Sequence, residues 1–167
     1  MKRVLALDPG DRVGWARAVV DSEGRWSQMD HGITELKPMA LKIHESLVAY
    51  PGMRPDYDIV ICERWSLFKS KALEMVGSEI PSAQFIGMVK LACWLSQVPL
   101  IMQDVRDVNS HTSKPAPAEA SLKAFRPAIY EMVMQPIAHD EGHDLVAIKH
   151  AWLWTFRNYP VRKDQST

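Results

Sequence analysis

The sequence feature that most constrains the fold is a short apolar run near the start of the chain that ends in an acid. Residues 4–7 are apolar, Asp8 follows them, Pro9-Gly10 breaks the run, and a second apolar run resumes at Val13. This pattern predicts a buried strand, a tight turn and a returning strand. Because burying a carboxylate is costly without a compensating cation or hydrogen-bond donor, Asp8 is the residue that most needs a physical explanation.

The rest of the chain predicts alternating strands and helices. Strands are predicted at 2–8, 13–20, 25–34, 58–63 and 98–102, and helices at 38–50, 81–97, 118–134 and 140–158, with a short helix within 104–113. The apolar run that ends at Glu63 follows a helix, which favours a buried parallel strand. Three hairpin strands followed by alternating helices and strands predict an α/β fold, a mixed five-stranded sheet with helices on both faces.

Length and composition limit the class of protein. A chain of 167 residues with 47% hydrophobic and 24% charged residues predicts a single globular domain over 1–159, followed by a polar tail over 160–167. No apolar run approaches the roughly 20 residues of a membrane span, and no signal peptide precedes the first strand. Cys62 and Cys93 lie in apolar contexts, which predicts reduced core thiols in a cytoplasmic protein. Since the net charge is zero, DNA contact would need a local basic surface.

Acids at two strand ends and at one helix start form the candidate chemical site. Asp8 and Glu63 each end an apolar strand, and in open α/β sheets ligands bind outside the carboxyl ends of the strands. In the last predicted helix, at about 100° per residue, Glu141 and Asp144 share one stripe with apolar residues, which are Leu145, Ile148 and Trp152. A helix laid on the sheet would bury the apolar part of that stripe and bring Asp144 to the edge of the sheet.

Carboxylates that converge raise one another's pKa values unless a cation neutralises them. Mg²⁺ typically takes one or two carboxylates together with substrate phosphates, and two ions about 4 Å apart would promote phosphodiester hydrolysis. Taken singly, each acid has an ordinary structural explanation: a turn for Asp8, an ion pair with Arg64 for Glu63, and the helix dipole for Asp140 and Glu141. A zinc site at His139 and His143 lacks a matching pair of Cys or His residues.

The motifs around these acids resemble those of the RuvC family of Holliday junction resolvases, in the RNase H-like (retroviral integrase) superfamily. Leu5-Ala6-Leu7-Asp8-Pro9-Gly10 followed by Val13-Gly14-Trp15-Ala16 resembles the opening strand motif of that family. Ile59 to Glu63 resembles the strand that carries the second acid, and Asp144 to Ile148 resembles the final helix motif, with Leu145 where alanine is usual. The resemblance covers the chain from residue 3 to about residue 155.

The resemblance implies an RNase H-like fold with element order βββαβαβαα and a homodimeric endonuclease that places paired nicks across four-way DNA junctions. It implies Mg²⁺ or Mn²⁺ as the cofactor, two ions per site, with Asp8, Glu63 and Asp144 as ligands. The family places an Asp or His three residues before the last acid, a position that Glu141 occupies here, and Asp140 and His143 are the nearby substitutes. The short chain and the loop at 109–117 look like those of a phage-type member, which would act in the host cytoplasm.

A local basic surface is predicted beside these acids. The candidate DNA contacts are Arg12, Arg64, Phe68, Lys69, Lys71, Lys114, Lys123 and Arg126. Phe68 and Trp65 are candidates for stacking at an unpaired junction base, although Trp65 is equally suited to the core. The alternative for the basic residues is a solvated surface charge. The helix at 81–97, with Phe85 and Trp94, suits a dimer interface as well as the core.

Some sequence features are shared with proteins of other functions. Sugar kinases and actin-like ATPases also open with a strand, an acid and a glycine turn, but they need a second Gly-rich phosphate loop, and this chain has only 8 glycines. An inactive nucleic-acid-binding module of the same fold has no reason to bury three acids. A related nuclease that acts on flaps, forks, three-way junctions or RNA–DNA hybrids is left open by the sequence.

Overall fold

A five-stranded sheet organises the chain. A computed structural model describes residues 1–48, 54–64, 80–112 and 142–159. In these ranges the strands are β1 (Lys2–Pro9), β2 (Arg12–Val20), β3 (Trp26–Glu35), β4 (Ile59–Glu63) and β5 (Leu100–Gln103). The helices are α1 (Leu36–Leu47), α2 (Pro81–Ser96), α3 (Val105–Thr112) and α4 (His143–Asn158). The strands lie side by side in the order β3-β2-β1-β4-β5.

The central strand, β1, pairs antiparallel with β2 and parallel with β4. The β2–β3 hairpin closes through Asp21, whose carboxylate accepts hydrogen bonds from the backbone N–H groups of Glu23 and Arg25. Gly24 supplies the positive φ of +80° that this turn requires. Parallel strands need a crossover connection, and α1 and α2 lie in the two that lead to β4 and β5. The predicted mixed sheet is confirmed.

Side-chain alternation divides the strands between two cores. One face carries Val4, Ala6, Ile59 and Ile61, which pack with α4; the other carries Leu5, Leu7, Val60 and Cys62, which pack with α1 and α2. The prediction of helices on both faces is therefore confirmed. Because the alternation has a period of two, Asp8 and Glu63 follow Ala6 and Ile61 on the face that α4 covers.

Helix α4 is buried around its whole circumference. Its residues from Ala147 to Thr155 are all buried, whereas the sequence predicted a single apolar stripe through Ile148 and Trp152. Trp26 on β3 donates a hydrogen bond of 3.0 Å from Nε1 to the hydroxyl of Thr155. The helix begins at His143, with Gly142 as its N-cap, three residues after the predicted start at about Asp140. The acids that motivated the earlier start favour a first helical turn only weakly, and packing against β2 fixes the start instead.

Other predicted boundaries differ by one to three residues. Helix α1 begins at Leu36, directly after β3, because Pro38 is tolerated within a first helical turn. Helix α2 ends where Gln97 adopts a left-handed conformation with φ of 57°, and β5 starts at Leu100 rather than Val98. The predicted helix at 118–134 lies outside the described residues, and the division into a domain over 1–159 and a tail stays a prediction. Among the described helices, none is long and apolar enough to cross a membrane.

Gly14 allows α4 to lie directly on the sheet. In the β1–β2 register this glycine is paired with Asp8. A Cβ atom at Gly14 would overlap the backbone carbonyl of His143 and would lie 2.6 Å from the amide nitrogen of Asp144. These backbone groups can move away only if helix α4 itself moves. The glycine therefore determines how closely the start of α4 approaches the strand that carries Asp8.

We expect Gly14→Ala to lower the free energy of unfolding by about 1–3 kcal/mol, the usual cost of overpacking a core. Urea unfolding monitored by far-UV circular dichroism measures this change. Gly87 provides the matched control, since it is exposed in α2 and a Cβ atom there would meet no atom within 4 Å. Gly87→Ala should raise the free energy of unfolding by about 0.5–1 kcal/mol. Equal stability of Gly14→Ala and the wild type would contradict the close approach.

Candidate active site

Two carboxylates meet where β1 and β4 end. The parallel register pairs Leu7 with Cys62, so the residues that follow them, Asp8 and Glu63, are neighbours. Asp8 is only 7% exposed. Its burial, the charge of Glu63 and a side-chain hydrogen bond with Glu63 raise the pKa of Asp8 from 3.8 to about 9. The two acids are thus held where both can be ionised only if a cation offsets their repulsion.

His143, the first residue of α4, contacts Asp8. Its Nδ1 lies 2.7 Å from Oδ2 of Asp8, at hydrogen-bond distance. The ring lies over the turn after β1, where a Cβ atom at Gly10 would come within 2.6 Å of the imidazole Cε1. The sequence placed His143 about 100° away from the acidic stripe and kept it only as a substitute ligand. Because α4 begins directly on Gly14, its first residue is the one that reaches the end of β1.

Asp144 contacts a histidine on β3. Its Oδ2 lies 2.8 Å from Nδ1 of His31, which is paired with Ala16 in the β2–β3 register. In the ranges that the structure describes, no group of three or more His, Cys, Asp or Glu side chains lies close enough to hold a metal ion. Asp8 makes separate pairwise contacts with Glu63 and with His143, while Asp144 is held beside His31. That all three acids bind one metal centre stays a prediction.

A fully buried histidine reaches the second acid. His150 on α4 is 0% exposed, and its Nδ1 lies 2.7 Å from Oε1 of Gln103. Its Nε2 lies 3.4 Å from Oε2 of Glu63, and the β4–β5 register pairs Glu63 with Gln103. His143 and His150 are seven residues apart, a spacing that places both rings on the same side of a helix. Each of the three acids therefore has one histidine partner.

Sequence reasoning missed three residues of this network, namely His31, Gln103 and His150. One signal was available for His150, which, with Lys149, interrupts an apolar stretch of the last helix. His31 and Gln103 have no local signal. They reach the site because strand alternation directs them to the face that α4 covers.

Most of the predicted DNA contacts cannot be placed. The predicted contacts outside the described residues are Phe68, Lys69, Lys71, Lys114, Lys123 and Arg126, together with the stacking candidate Trp65. The candidate ligands Asp140 and Glu141 also lie outside the described residues.

Two predicted contacts are described, and both are exposed at strand ends. Arg12, at the start of β2, lies 3.7 Å from Glu35 as a surface ion pair. Arg64 directly follows Glu63, and its backbone N–H donates a hydrogen bond to the carbonyl of Gln103. A role for either guanidinium in DNA binding stays a prediction.

Comparison with solved structures identifies the fold. RuvC from T. thermophilus in complex with a Holliday junction substrate matches with a TM-score of 0.61 and 14% identity, covering 95% of this chain and 96% of that one. The fowlpox virus Holliday junction resolvase matches with a TM-score of 0.51 and 12% identity, covering 93% of this chain and 97% of that one. This chain has the RuvC-like resolvase fold.

The yeast mitochondrial Holliday junction resolvase Ydc2 also matches the RuvC-like fold of this chain. Its TM-score is 0.50 at 12% identity, covering 95% of this chain and 81% of that one. No protein-family model matches the sequence, and no curated protein matches it. The RuvC-like fold predicted from the motifs is therefore confirmed by structure.

In buffer without divalent cations, we expect Asp8→Asn to stabilise the protein. The pKa of Asp8 is higher in the folded than in the unfolded chain, so the folded state loses stability as the pH rises from about 4 to about 9. The amide carries no charge and keeps an oxygen that can accept a hydrogen bond. Its advantage should grow with pH and reach about 1–3 kcal/mol near pH 8, measured by urea unfolding in the presence of EDTA.

Asp58 provides the control of opposite sign. Burial alone would raise the pKa of Asp58, but hydrogen bonds from Arg3 and Arg54 lower it to about 2. Its stabilising effect is present above the unfolded pKa and is lost as the pH falls, so Asp58→Asn should destabilise the protein at about pH 8. If Asp8→Asn also destabilises the protein at about pH 8, the acids at the ends of β1 and β4 do not destabilise the folded state.

Proposed function

We propose that the protein is a metal-dependent endonuclease that resolves four-way DNA junctions. The observation that carries this proposal is the pairing of the buried Asp8 with the partly exposed Glu63 at adjacent strand ends of a RuvC-like fold. Acids held so close call for a divalent cation, and a sheet edge is where α/β folds bind their ligands. A solved structure with this fold is RuvC in complex with a Holliday junction substrate, which supports a four-way junction as the substrate.

The metal would be Mg²⁺ or Mn²⁺, held first by Asp8 and Glu63. The two side chains fit a hard cation, because Mg²⁺ in proteins takes oxygen ligands and often only one or two carboxylates, with phosphate oxygens and water completing its shell. When bound, such ions activate water and stabilise the leaving oxygen of a phosphodiester. We propose Asp144 as the third ligand and Glu141, Asp140 or His143 as the fourth, with two ions per site.

The protein's own residues would orient the carboxylates and the DNA. His143 fixes Oδ2 of Asp8, while the neighbouring Gly10 leaves room for its ring. Arg12 and Arg64 are exposed at the ends of β2 and β4, where they would contact phosphates and set the register of the DNA strand. A DNA substrate implies an intracellular protein, in the host cytoplasm if the chain is phage-encoded.

We further propose a homodimer, because paired nicks across a symmetric junction need two active sites. Helix α2 presents three large apolar side chains to solvent, Leu91, Trp94 and Leu95, and Trp94 is 75% exposed. Exposed apolar patches that include an aromatic residue are typical of protein interfaces. A second copy of the chain is the partner that would place two sites at a fixed separation about a two-fold axis.

A broader nuclease is the second candidate, with the same chemistry applied to flaps, forks or three-way junctions. The low identity of 12–14% to the junction resolvases favours keeping this candidate, because one fold supports different substrates through its loops. An inactive binding module is disfavoured, since the Asp8–Glu63 pair destabilises the fold without serving any purpose in such a protein.

We expect the protein to cut a synthetic four-way junction in the presence of Mg²⁺ or Mn²⁺. Asp8→Asn should lower the cleavage rate by about 10³-fold or more, since a metal contributes several kcal/mol to the transition state. Junction affinity measured by gel shift should stay within about twofold of the wild type at the same salt concentration, which must be fixed because DNA affinity depends on it. Asp58→Asn, at the far end of β4, is the control and should cut normally.

Four-way, three-way and flap substrates compared at equal salt separate the two candidates. A plasmid-borne cruciform adds a readout for the dimer, since paired nicks produce linear plasmid and single nicks produce open circles. Equal cleavage by Asp8→Asn and the wild type would refute the mechanism. Equal rates on all three substrates would favour the broader nuclease.

A further inference from the structure

We infer that His150, anchored by Gln103, is a positioning residue for Glu63 and that it sets the affinity of the site for a divalent cation. This inference rests on the proposed function, because it requires Glu63 to be a metal ligand. His150 would act through Glu63 and would contact neither the metal nor the DNA.

The complete burial of His150 needs an explanation other than core packing. The buried polar or charged residues in the described ranges are Asp8, Gln103, Lys149, His150 and Thr155. Three of these, Asp8, Gln103 and His150, lie at or beside the acid pair. An imidazole in such a place is costly unless its nitrogens are paired, whereas an apolar side chain would pack there without that cost. A ring at this position is thus explained by what its nitrogens contact.

The contacts show how the ring is held. Gln103 is itself 4% exposed, and the β4–β5 pairing holds its backbone next to Glu63 in the sheet. The 2.7 Å contact from its side-chain amide to Nδ1 sets the plane of the ring. Nε2 is then directed at Oε2 of Glu63, at 3.4 Å. The amide is neutral, and its oxygen contacts Nδ1 of His150.

His150 differs in this respect from the other two histidines. His31 and His143 are partly exposed, so their contacts with Asp144 and Asp8 can be exchanged for water or for a ligand. His150 has no exposed surface and is surrounded by the core of α4, so its contact is retained when the site changes occupancy. Partners of this kind fix the orientation of a ligating side chain, and their loss typically weakens metal binding by 10–100-fold.

The test is Mn²⁺ binding by isothermal titration calorimetry on the full chain without DNA. His150→Phe keeps the ring shape and removes both nitrogens, and it should weaken Mn²⁺ binding by about 10-fold or more. His150→Gln can donate an N–H toward Glu63 and should recover most of the affinity. Gln103→Met keeps the histidine and removes its anchor, and it should shift affinity in the same direction as His150→Phe.

Thr155→Val is the matched structural control. Thr155 is buried on the same helix and accepts a hydrogen bond from Trp26, so its loss lowers stability without touching the acid pair. Its Mn²⁺ affinity should equal that of the wild type. In cleavage assays, the rate of His150→Phe should fall at limiting Mn²⁺ and recover at saturating Mn²⁺. A merely structural role would lower the rate equally at both concentrations.

The outcomes separate this inference from the proposed function. Wild-type affinity in both His150→Phe and Gln103→Met would overturn the positioning role while the metal site stands. Absence of saturable Mn²⁺ binding in the wild type, or binding that persists in Glu63→Gln, would overturn the metal site and the inference with it. If His150→Phe does not fold, Gln103→Met decides the question alone.

Discussion

The repulsion between Asp8 and Glu63 is the constraint on which the rest of the site depends. The hydrophobic cores on both sides of the sheet hold β1 and β4 in register, so the two acids cannot separate without disrupting the sheet. The burial of Asp8, together with the charge of the adjacent Glu63, raises the pKa of Asp8 to about 9. His143 and His150 each contact one of these acids, and the proposed cation would offset the charge of the pair.

Helix α4 completes the site through close packing against the sheet. The absence of a side chain at Gly14 lets the start of the helix lie on β2, opposite Asp8. One helix then supplies a partner to Asp8 through His143 and to Glu63 through His150. Because strand alternation sends both acids and Gln103 to the same face, a single helix can contact all of them. Helix α4 therefore both packs against the sheet and supplies the side chains that contact Asp8 and Glu63.

The sequence predicts the strands and the acids of this site better than it predicts the contacts between side chains. The apolar runs that end in Asp8 and Glu63 reveal both strands and both acids, since period and composition are local properties. The contacts of His31 with Asp144, and of His150 with Glu63, join residues far apart in the chain, 113 and 87 positions respectively. No local pattern encodes such pairs. The start of α4 was misjudged for the same reason, because packing on Gly14 outweighs the weak preference of acids for a first helical turn.

The most direct test of the account is an anomalous difference map from crystals of the wild-type protein soaked in Mn²⁺. We expect a peak coordinated by the carboxylates of Asp8 and Glu63, with His150 still contacting Glu63. A map with no anomalous peak beside the two carboxylates would contradict this expectation. In that case the pair would be stabilised by a shared proton, and the fold would lack the metal centre proposed for it.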